Sequence, residues 1–435
     1  MPESVWTDGQ KLPRFKKLYG SVKTDVLVIG GGLCGILCAY FLRKEGVDCI
    51  LAEAASIGSG ITCNTTAKVT SQHGFIYDKM VKSRGKELAA GYLEANEEAL
   101  EEYRKLARVI DCDFEEKDAF VYSCSDRKKA EREVKAVNSL GFPADFIENT
   151  PLPFPVESAV RFPNQAQFHP LKFLSAIAEG LPVYEHTFIC GLAPHRAYSE
   201  TGEIRADKII VATHFPFLNK HGSYFLKLYQ HRSYVIALKG AQDVRGMYVD
   251  EAQEGLSFRN YQNLLLIGGG SHRTGKNGGN WQELRNFANL TYPRAEEAYS
   301  WATQDCMSLD GIPYIGRYSA HTPDLYVAAG FNKWGMTSAM VSAMLLRDMV
   351  LGRENPWKEV FSPSRSLLKP QLLINGAEAF VNLLAPTKKR CPHMGCALKW
   401  NPHEHTWDCA CHGSRFDADG SLINNPAVGD AKVSR

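Results

Sequence analysis

Apolar positions along the chain fall into short continuous runs at the front and a polar, proline-rich stretch in the middle. Residues 26–29 (Val-Leu-Val-Ile) are an unbroken apolar run, as a parallel strand buried on both faces requires, and a second apolar strand is read over 47–52. Between them, residues 36–45 read as a helix stopped at Gly46. Residues 75–110 are charged and helix-forming, with Leu88, Tyr92, Leu100 and Tyr103 spaced to line one face. Prolines then crowd in (Pro143, Pro151, Pro153, Pro155, Pro163) and mark a looped, strand-rich middle. Strands are expected at 119–122, 183–190, 208–212, 234–238, 264–267 and 326–329, and a long apolar helix at 336–351. Residues 1–23 read as a polar lead-in that caps or docks on the surface. Residues 353–386, with Pro356, Pro363, Pro370 and Pro386, read as a linker.

Composition narrows the class. The 435 residues suggest two or three domains, and 44% apolar with 23% charged residues is ordinary globular usage. A net charge of +2 gives no global field for nucleic acid or an anionic membrane. No run reaches the roughly 18 apolar residues of a membrane span, and the N-terminus has no secretory apolar core, so the expected location is the cytoplasm. Twelve cysteines in a reducing compartment argue against a general disulfide framework. Cys34, Cys38 and Cys49 fit as buried packing residues.

The first strand runs into Gly30-Gly31-Gly32-Leu33-Cys34-Gly35, then a helix, then a strand ending at Glu53. In this G-x-G-x-x-G turn Gly30 makes the tight bend, Gly32 lets backbone approach a pyrophosphate, and Gly35 lets helix and strand pack closely. The helix N-terminus offers amides to the phosphates, and Glu53 accepts ribose hydroxyls and repels a 2′-phosphate. Small polar residues follow at Ser59-Gly60-Ile61-Thr62 and Thr65-Thr66-Ala67-Lys68, and a strand turns at Ala212-Thr213. A second glycine run, Gly268-Gly269-Gly270, has Arg273 at its third glycine position and no helix after it. It reads as a strand turning near the substrate face.

Late in the chain, Asp310-Gly311-Ile312-Pro313-Tyr314-Ile315-Gly316 precedes Leu325–Phe331 and then Trp334-Gly335-Met336-Thr337. With the front unit, these residues resemble the D-amino-acid oxidase, glycine oxidase and sarcosine oxidase family of FAD enzymes over residues 24–352. The resemblance implies an α/β fold: a Rossmann-like FAD-binding domain (about 24–80, 183–215 and 305–352) interleaved with an antiparallel-sheet substrate domain (about 110–182 and 225–300). It implies FAD held by Gly30, Gly32, Gly35, Glu53, Thr66, Ala67, Ala212 and Thr213. The late turn, Gly330, Gly335, Met336 and Thr337, would bring amides and a hydroxyl to the flavin pyrimidine edge. In that family an arginine and tyrosines bind the substrate carboxylate, which makes Arg259, Arg232 and His272 the substrate-site candidates here, with Arg273 beside them. His73 and Trp334 are candidates to lie beside the flavin.

At the back, Cys391-Pro392-His393-Met394-Gly395-Cys396 offers C-x-H, and Cys409-Ala410-Cys411-His412, followed by Gly413–Asp417, offers C-x-x-H. Paired cysteine and histidine loops also suit tetrahedral zinc. The spacing resembles the Rieske 2Fe–2S family, in which thiolates hold one iron and imidazoles the other. The resemblance implies Cys391 and Cys409 on one iron, His393 and His412 on the other, and a loop-tying disulfide between Cys396 and Cys411. The module is expected over 387–435, small and all-β. About twenty residues lie between Pro370 and Cys391 and 23 follow His412, a short frame for it. His403 and His405 read as solvated turn residues.

Together these features imply an FAD-dependent oxidoreductase that oxidises a C–N bond of an amine or amino acid, passing hydride to flavin N5 and electrons on through a Rieske cluster to an unspecified acceptor. A flavin oxidase using oxygen directly, its cluster module non-functional, is the alternative enzyme. A redox sensor or electron carrier is the non-catalytic one.

Overall fold

The apolar run at 26–29 is the buried end of strand Gly20–Ile29, which lies at the centre of the first of three sheets in the computed structural model. The structure describes residues 4–252 and 254–433, so the outer ends of the lead-in and of the C-terminal module lie outside the described residues. In this eight-stranded sheet Gly20–Ile29 pairs in parallel with Cys49–Ala52 on one side and Gly202–Val211 on the other. Leu325–Ala329 and Val183–Tyr184 extend the parallel order, and Tyr314–Arg317 closes one edge antiparallel. The helix Leu33–Lys44 crosses between the first two strands and is apolar nearly all round, because it is buried against the helix Gly335–Val350.

The stretch expected as one strand at 183–190 is two. Val183–Tyr184 joins the parallel sheet, and Ile189–Ala193 starts a hairpin with Arg196–Ser199 that attaches to Gly202–Val211. The second, nine-stranded sheet carries Leu228–Lys239, flanked by Glu296–Ser308 and Leu264–Arg273. It is mixed rather than wholly antiparallel, since Met247–Asp250 runs parallel to Glu115–Ser123. Gly268–Gly270 do not turn: the strand continues through them to Arg273.

Two expectations fail. The lead-in is no mere surface cap: Trp6 is fully buried, its indole N–H donates to the Thr65 carbonyl at 2.7 Å, and it packs edge-on to Tyr261. Nor is 353–386 a linker. Pro370–Leu384 is a fifteen-residue helix, with Pro370 in its first turn where the missing N–H costs nothing.

The C-terminal module is a four-stranded antiparallel sheet, Leu398–Asn401, Thr406–Cys409, Arg415–Phe416 and Leu422–Asn424, over its own small core around Phe416. Its short frame is completed from outside, because the module rests on the two larger sheets.

Candidate functional site

A cavity of about 1190 Å³ opens at the carboxyl ends of the parallel strands, where such sheets bind their ligands. Gly30, at φ +112, turns so tightly that a Cβ there would lie 2.5 Å from the Ala212 carbonyl oxygen. At Gly35 a Cβ would lie 1.9 Å from the Gly30 oxygen, so this glycine sets the helix–strand approach from behind the cavity wall. Gly32 differs. It caps the helix with an extended backbone, and a Cβ there would meet only Thr62 Oγ1, at 3.4 Å, leaving the cavity side open. The helix has no side chain capping it through Gly32, and Thr62 accepts only the Leu33 amide, at 3.0 Å.

Glu53 ends its strand in the cavity, with its oxygens accepting the Gly31 amide at 2.5 Å and the Ala55 amide at 2.8 Å. Burial pushes its carboxyl up from the usual range. Each carboxylate oxygen keeps acceptor capacity for a hydroxyl. Thr66, Ala212, Thr213, Gly335 and Met336 also line the cavity. Helix Gly335–Val350 starts there, and again no side chain caps it. These open glycine edges and free helix-start amides fit a dinucleotide carrying a pyrophosphate and a polar ring edge.

Three of the expected contacts lie behind the wall. Ala67, at φ +51, is fully buried and turns its carbonyl to Arg259. Gly330, at φ +72, packs against Leu228 and Ser308 and makes the turn rather than the lining. The Thr337 hydroxyl donates to the Thr70 carbonyl at 3.2 Å, away from the cavity. His73 stands in the same layer, between the Tyr92 hydroxyl (2.6 Å) and Thr70 (2.8 Å), and stacks on Trp334, which does line the cavity.

The substrate-site candidates are corrected as a group, because other groups already hold them. Arg259 is fully buried outside the cavity lining. Its Nη1 donates to the carbonyls of Thr66 and Ala67, both at 2.8 Å, so it props the loop behind the cavity; its Nη2 has no partner among the described residues. Arg232 reaches the cavity edge, but its guanidinium is bound in fork geometry to Glu404 of the C-terminal module. His272 is stacked on Tyr234 and bonded to the Gly270 carbonyl. Arg273 donates to the carbonyls of Ala410 (2.9 Å) and Cys411 (3.1 Å) on the second ligand loop.

Two lysines line the cavity instead, and sequence reasoning did not find them. Lys333 precedes Trp334, donates to Ser271 Oγ at 3.0 Å and lies near Asp305. Burial lowers Lys333 and raises Asp305 to about 6. Lys68 is drawn down to about 7 by burial, with Arg259 adding to the effect. Lys333 sits inside the motif already singled out, between Phe331 and Trp334, so its position next to the glycine turn was a usable signal.

The two loops of the module face each other. Each closes on the same bond, Cys391 N–H to the Cys396 carbonyl at 2.8 Å and Cys409 N–H to the Ser414 carbonyl at 2.9 Å. The Nδ1 atoms of His393 and His412 stand 3.2 Å apart, aimed at one another. A hydrogen bond from the Cys409 thiol, helped by the His393 and Met394 amides, draws Cys391 down to about 7. Burial draws His393 to about 4 and His412 to about 3. The sulfurs of Cys396 and Cys411 stand at disulfide distance, with Cα atoms 6.6 Å apart. The sulfurs of Cys396, Cys409 and Cys411 lie within 4.8 Å of one another, but two of these are the bridged pair, so they are no three-thiolate site. Two free thiols and two facing imidazole nitrogens are the donor set that fits a two-iron centre ligated half by sulfur and half by nitrogen.

The module is sealed onto the two larger sheets around these loops. Gln230 donates to the His412 carbonyl at 2.8 Å, Gln304 to the Gly413 carbonyl at 2.8 Å, and His393 Nε2 meets Asn219 Oδ1 at 2.7 Å. A Cβ at Gly413 would lie 2.6 Å from Gln230 Cβ, and one at Gly275 2.6 Å from the Ala410 nitrogen. Asn425 donates to the carbonyls of Thr213 (2.6 Å) and Phe215 (2.7 Å), and with Asn424 and Asp430 it walls the cavity.

The family model described as FAD dependent oxidoreductase (DAO) matches residues 25–349, three quarters of the chain. The chain belongs to this family. A Rieske [2Fe-2S] domain model matches residues 376–434. The Rieske 2Fe-2S iron-sulfur protein YhfW of Bacillus subtilis (strain 168) is 36% identical, over 98% of this chain and 96% of its own. Among solved structures, glycine oxidase from Geobacillus kaustophilus superposes with a TM-score of 0.67 at 20% identity, covering 79% of this chain and 99% of that one. L-proline dehydrogenase from P. horikoshii gives 0.66 at 19% identity, covering 80% and 98%. The protein is thus an FAD-dependent oxidoreductase with a C-terminal Rieske domain, using FAD and a 2Fe–2S cluster. No helix among the described residues is long and apolar enough to cross a membrane.

Proposed function

We propose that this FAD-dependent oxidoreductase oxidises the C–N bond of a small amine or amino acid and passes the electrons out through its own Rieske domain. FAD supplies a two-electron acceptor and the 2Fe–2S cluster a one-electron outlet when bound. Gly32, Glu53 and the start of helix Gly335–Val350 position the first; Cys391, His393, Cys409 and His412 ligate the second. Lys333 faces the carboxylate of an amino-acid substrate, a role that a buried cation near a neutralising aspartate can fill by charge-assisted hydrogen bonding. The names of the structural relatives, glycine oxidase, L-proline dehydrogenase and an L-amino acid deaminase from Proteus vulgaris, support amino acids as the first compounds to try.

The observation that carries the reading is the shared wall. Asn425 lines the cavity, holds the Thr213 carbonyl, and follows the strand paired with Arg415 beside the second ligand loop. A free-standing carrier would have no reason to build its module into the wall of a substrate cavity. Anaerobic mixing of the loaded protein with a panel of amines and amino acids tests it. At least one should bleach the flavin bands and then give the signal of the reduced cluster. A panel that leaves the flavin oxidised overturns the substrate class, and a flavin that is reduced while the cluster stays oxidised overturns the internal route.

A further inference from the structure

The helix Pro370–Leu384 is amphipathic the wrong way round for a surface helix of a protein surrounded only by water. Such helices bury the apolar face and expose the polar one. Here Asn375 and Asn382 are 6% and 1% exposed, while Leu373, Ile374, Phe380, Val381 and Leu384 are 78%, 56%, 65%, 61% and 66% exposed. The polar face is tied down. Asn375 accepts from Arg273 at 2.8 Å, Glu378 pairs with Lys276 at 2.6 Å, and the Asn382 carbonyl accepts the Ala397 amide at 3.0 Å. At the far end, the Arg390 guanidinium donates to the carbonyls of Leu383 and Ala385 and also of Gly395. That arginine fuses the helix to the first ligand loop. The outward apolar stripe is therefore fixed by buried polar bonds and cannot roll inward.

We propose that this helix docks the protein on an anionic lipid surface, lying in the interface with its apolar stripe in the acyl boundary. Charge picks this occupant. From Lys369 to Arg390 the chain carries four basic residues and one acidic, and that acid, Glu378, is neutralised by Lys276. Lys369 and Lys388 flank the stripe at either end, the arrangement that adds electrostatic attraction to apolar insertion. The stripe continues onto the neighbouring short helix Tyr224–Lys227, whose Leu226 is also exposed. A fifteen-residue helix lies on a membrane rather than spanning it, which agrees with the absence of a spanning helix among the described residues. The inference does not depend on the reaction proposed above; it holds the first ligand loop, tied to the helix through Arg390, near the lipid surface whatever the substrate.

Flotation of the full-length, cofactor-loaded protein with vesicles tests it. Vesicles of phosphatidylcholine with about a quarter phosphatidylglycerol should carry the protein, pure phosphatidylcholine should carry about tenfold less, and high salt should weaken the first. The double variant Leu373→Glu/Phe380→Glu changes only exposed side chains, so it should keep its flavin absorbance while remaining with the unbound fraction. Lys369→Glu/Lys388→Glu should lose the preference for the anionic vesicles. Failure of the wild type to float, or flotation unchanged in the Leu373/Phe380 variant, overturns the proposal. So does a lipid-free dimer that the same variant converts to monomer, because the face then belongs to a second copy of the chain.

Discussion

Arg232 of the middle sheet and Glu404 of the Rieske domain form a forked ion pair across the domain boundary, both side chains under a tenth exposed. Arg415 joins Glu404 at 2.8 Å and Asp408 at 3.1 Å, and Tyr234 donates its hydroxyl to Glu404. A residue read as a substrate anchor is thus a domain clamp. The same holds for Arg273, spent on the second ligand loop. Arg232 and Arg273 tie the C-terminal module to the middle sheet, while Lys68 and Lys333 are the lysines that line the cavity.

Removing one partner of this clamp should undock the module. Arg232→Ala leaves Glu404 buried among fewer cations, which costs about 3–5 kcal/mol for a buried pair. Differential scanning calorimetry should show the Rieske domain melting ahead of the flavin domains. Acid should do the same to the wild type. Burial raises the Glu404 carboxyl, but Arg232 and Arg415 outweigh it and hold the group below its ordinary value. A depressed folded value gives stability that is full above the unfolded pKa, about 4.3, and lost as pH falls through the folded one. Module unfolding should therefore set in only below about pH 4, and Glu404→Gln should abolish that acid step. An unchanged acid transition in Glu404→Gln would remove the clamp from the account.

Gly32 and Gly35 separate binding from folding. Gly32→Leu would project a side chain to the open cavity side, so the protein should fold with an unchanged circular dichroism spectrum and bind FAD at least tenfold more weakly, about 1.4 kcal/mol or more. Gly35→Ala would press a methyl into the Gly30 carbonyl and should lower the melting temperature instead. Stoichiometric flavin in purified Gly32→Leu would refute the pyrophosphate assignment.

What could be read from sequence followed the range of the interactions involved. Gly30, Gly32 and Glu53 were legible because a strand–turn–helix–strand unit writes its geometry into local spacing. The ligand loops were legible for the same reason, with cysteine and histidine fixed within each loop. Arg232 was not, since its partner Glu404 is 172 residues away and no local pattern announces it. Arg259 finds its acceptor 193 residues back, in a loop that only the folded chain brings near. The helix Pro370–Leu384 was hidden by its flanking prolines. Leu373, Ala377, Phe380 and Leu384 nevertheless carry a helical period that a search for apolar spacing would have found.

Lys333 and Arg259 give opposite expectations for a carboxylated substrate. Lys333→Met should raise KM for it about 10- to 100-fold, the worth of one charge-assisted hydrogen bond, and should leave an amine without a carboxylate nearly unaffected. Arg259→Ala should lower stability by about 1–3 kcal/mol for each carbonyl, Thr66 and Ala67, left unpartnered. The folded fraction of that variant should keep the wild-type KM. Steady-state kinetics on matched amino-acid and amine substrates decides, and a KM shift confined to Arg259→Ala would restore the arginine to the site.

The last prediction concerns the ligand set. Protein purified without oxygen should hold two irons and two sulfides per chain, because two thiols and two facing Nδ1 atoms are presented by loops closed on identical backbone bonds. Cys391→Ser, Cys409→Ser, His393→Ala and His412→Ala should each abolish or severely deplete the iron while leaving FAD bound, since the glycine cradle is built from other strands. Cys396→Ser should behave differently. Its sulfur is paired with Cys411 rather than offered to metal, so iron should load at first and then be lost faster on heating as the loops gain freedom. Gly413→Val should resemble the ligand variants without touching a ligand, because its side chain would collide with Gln230 and lift the second loop off its seat. Metal analysis with electron paramagnetic resonance reads all six proteins against the wild type. Zinc in place of iron, or iron retained in any of the four ligand variants at the wild-type level, would reject the assignment.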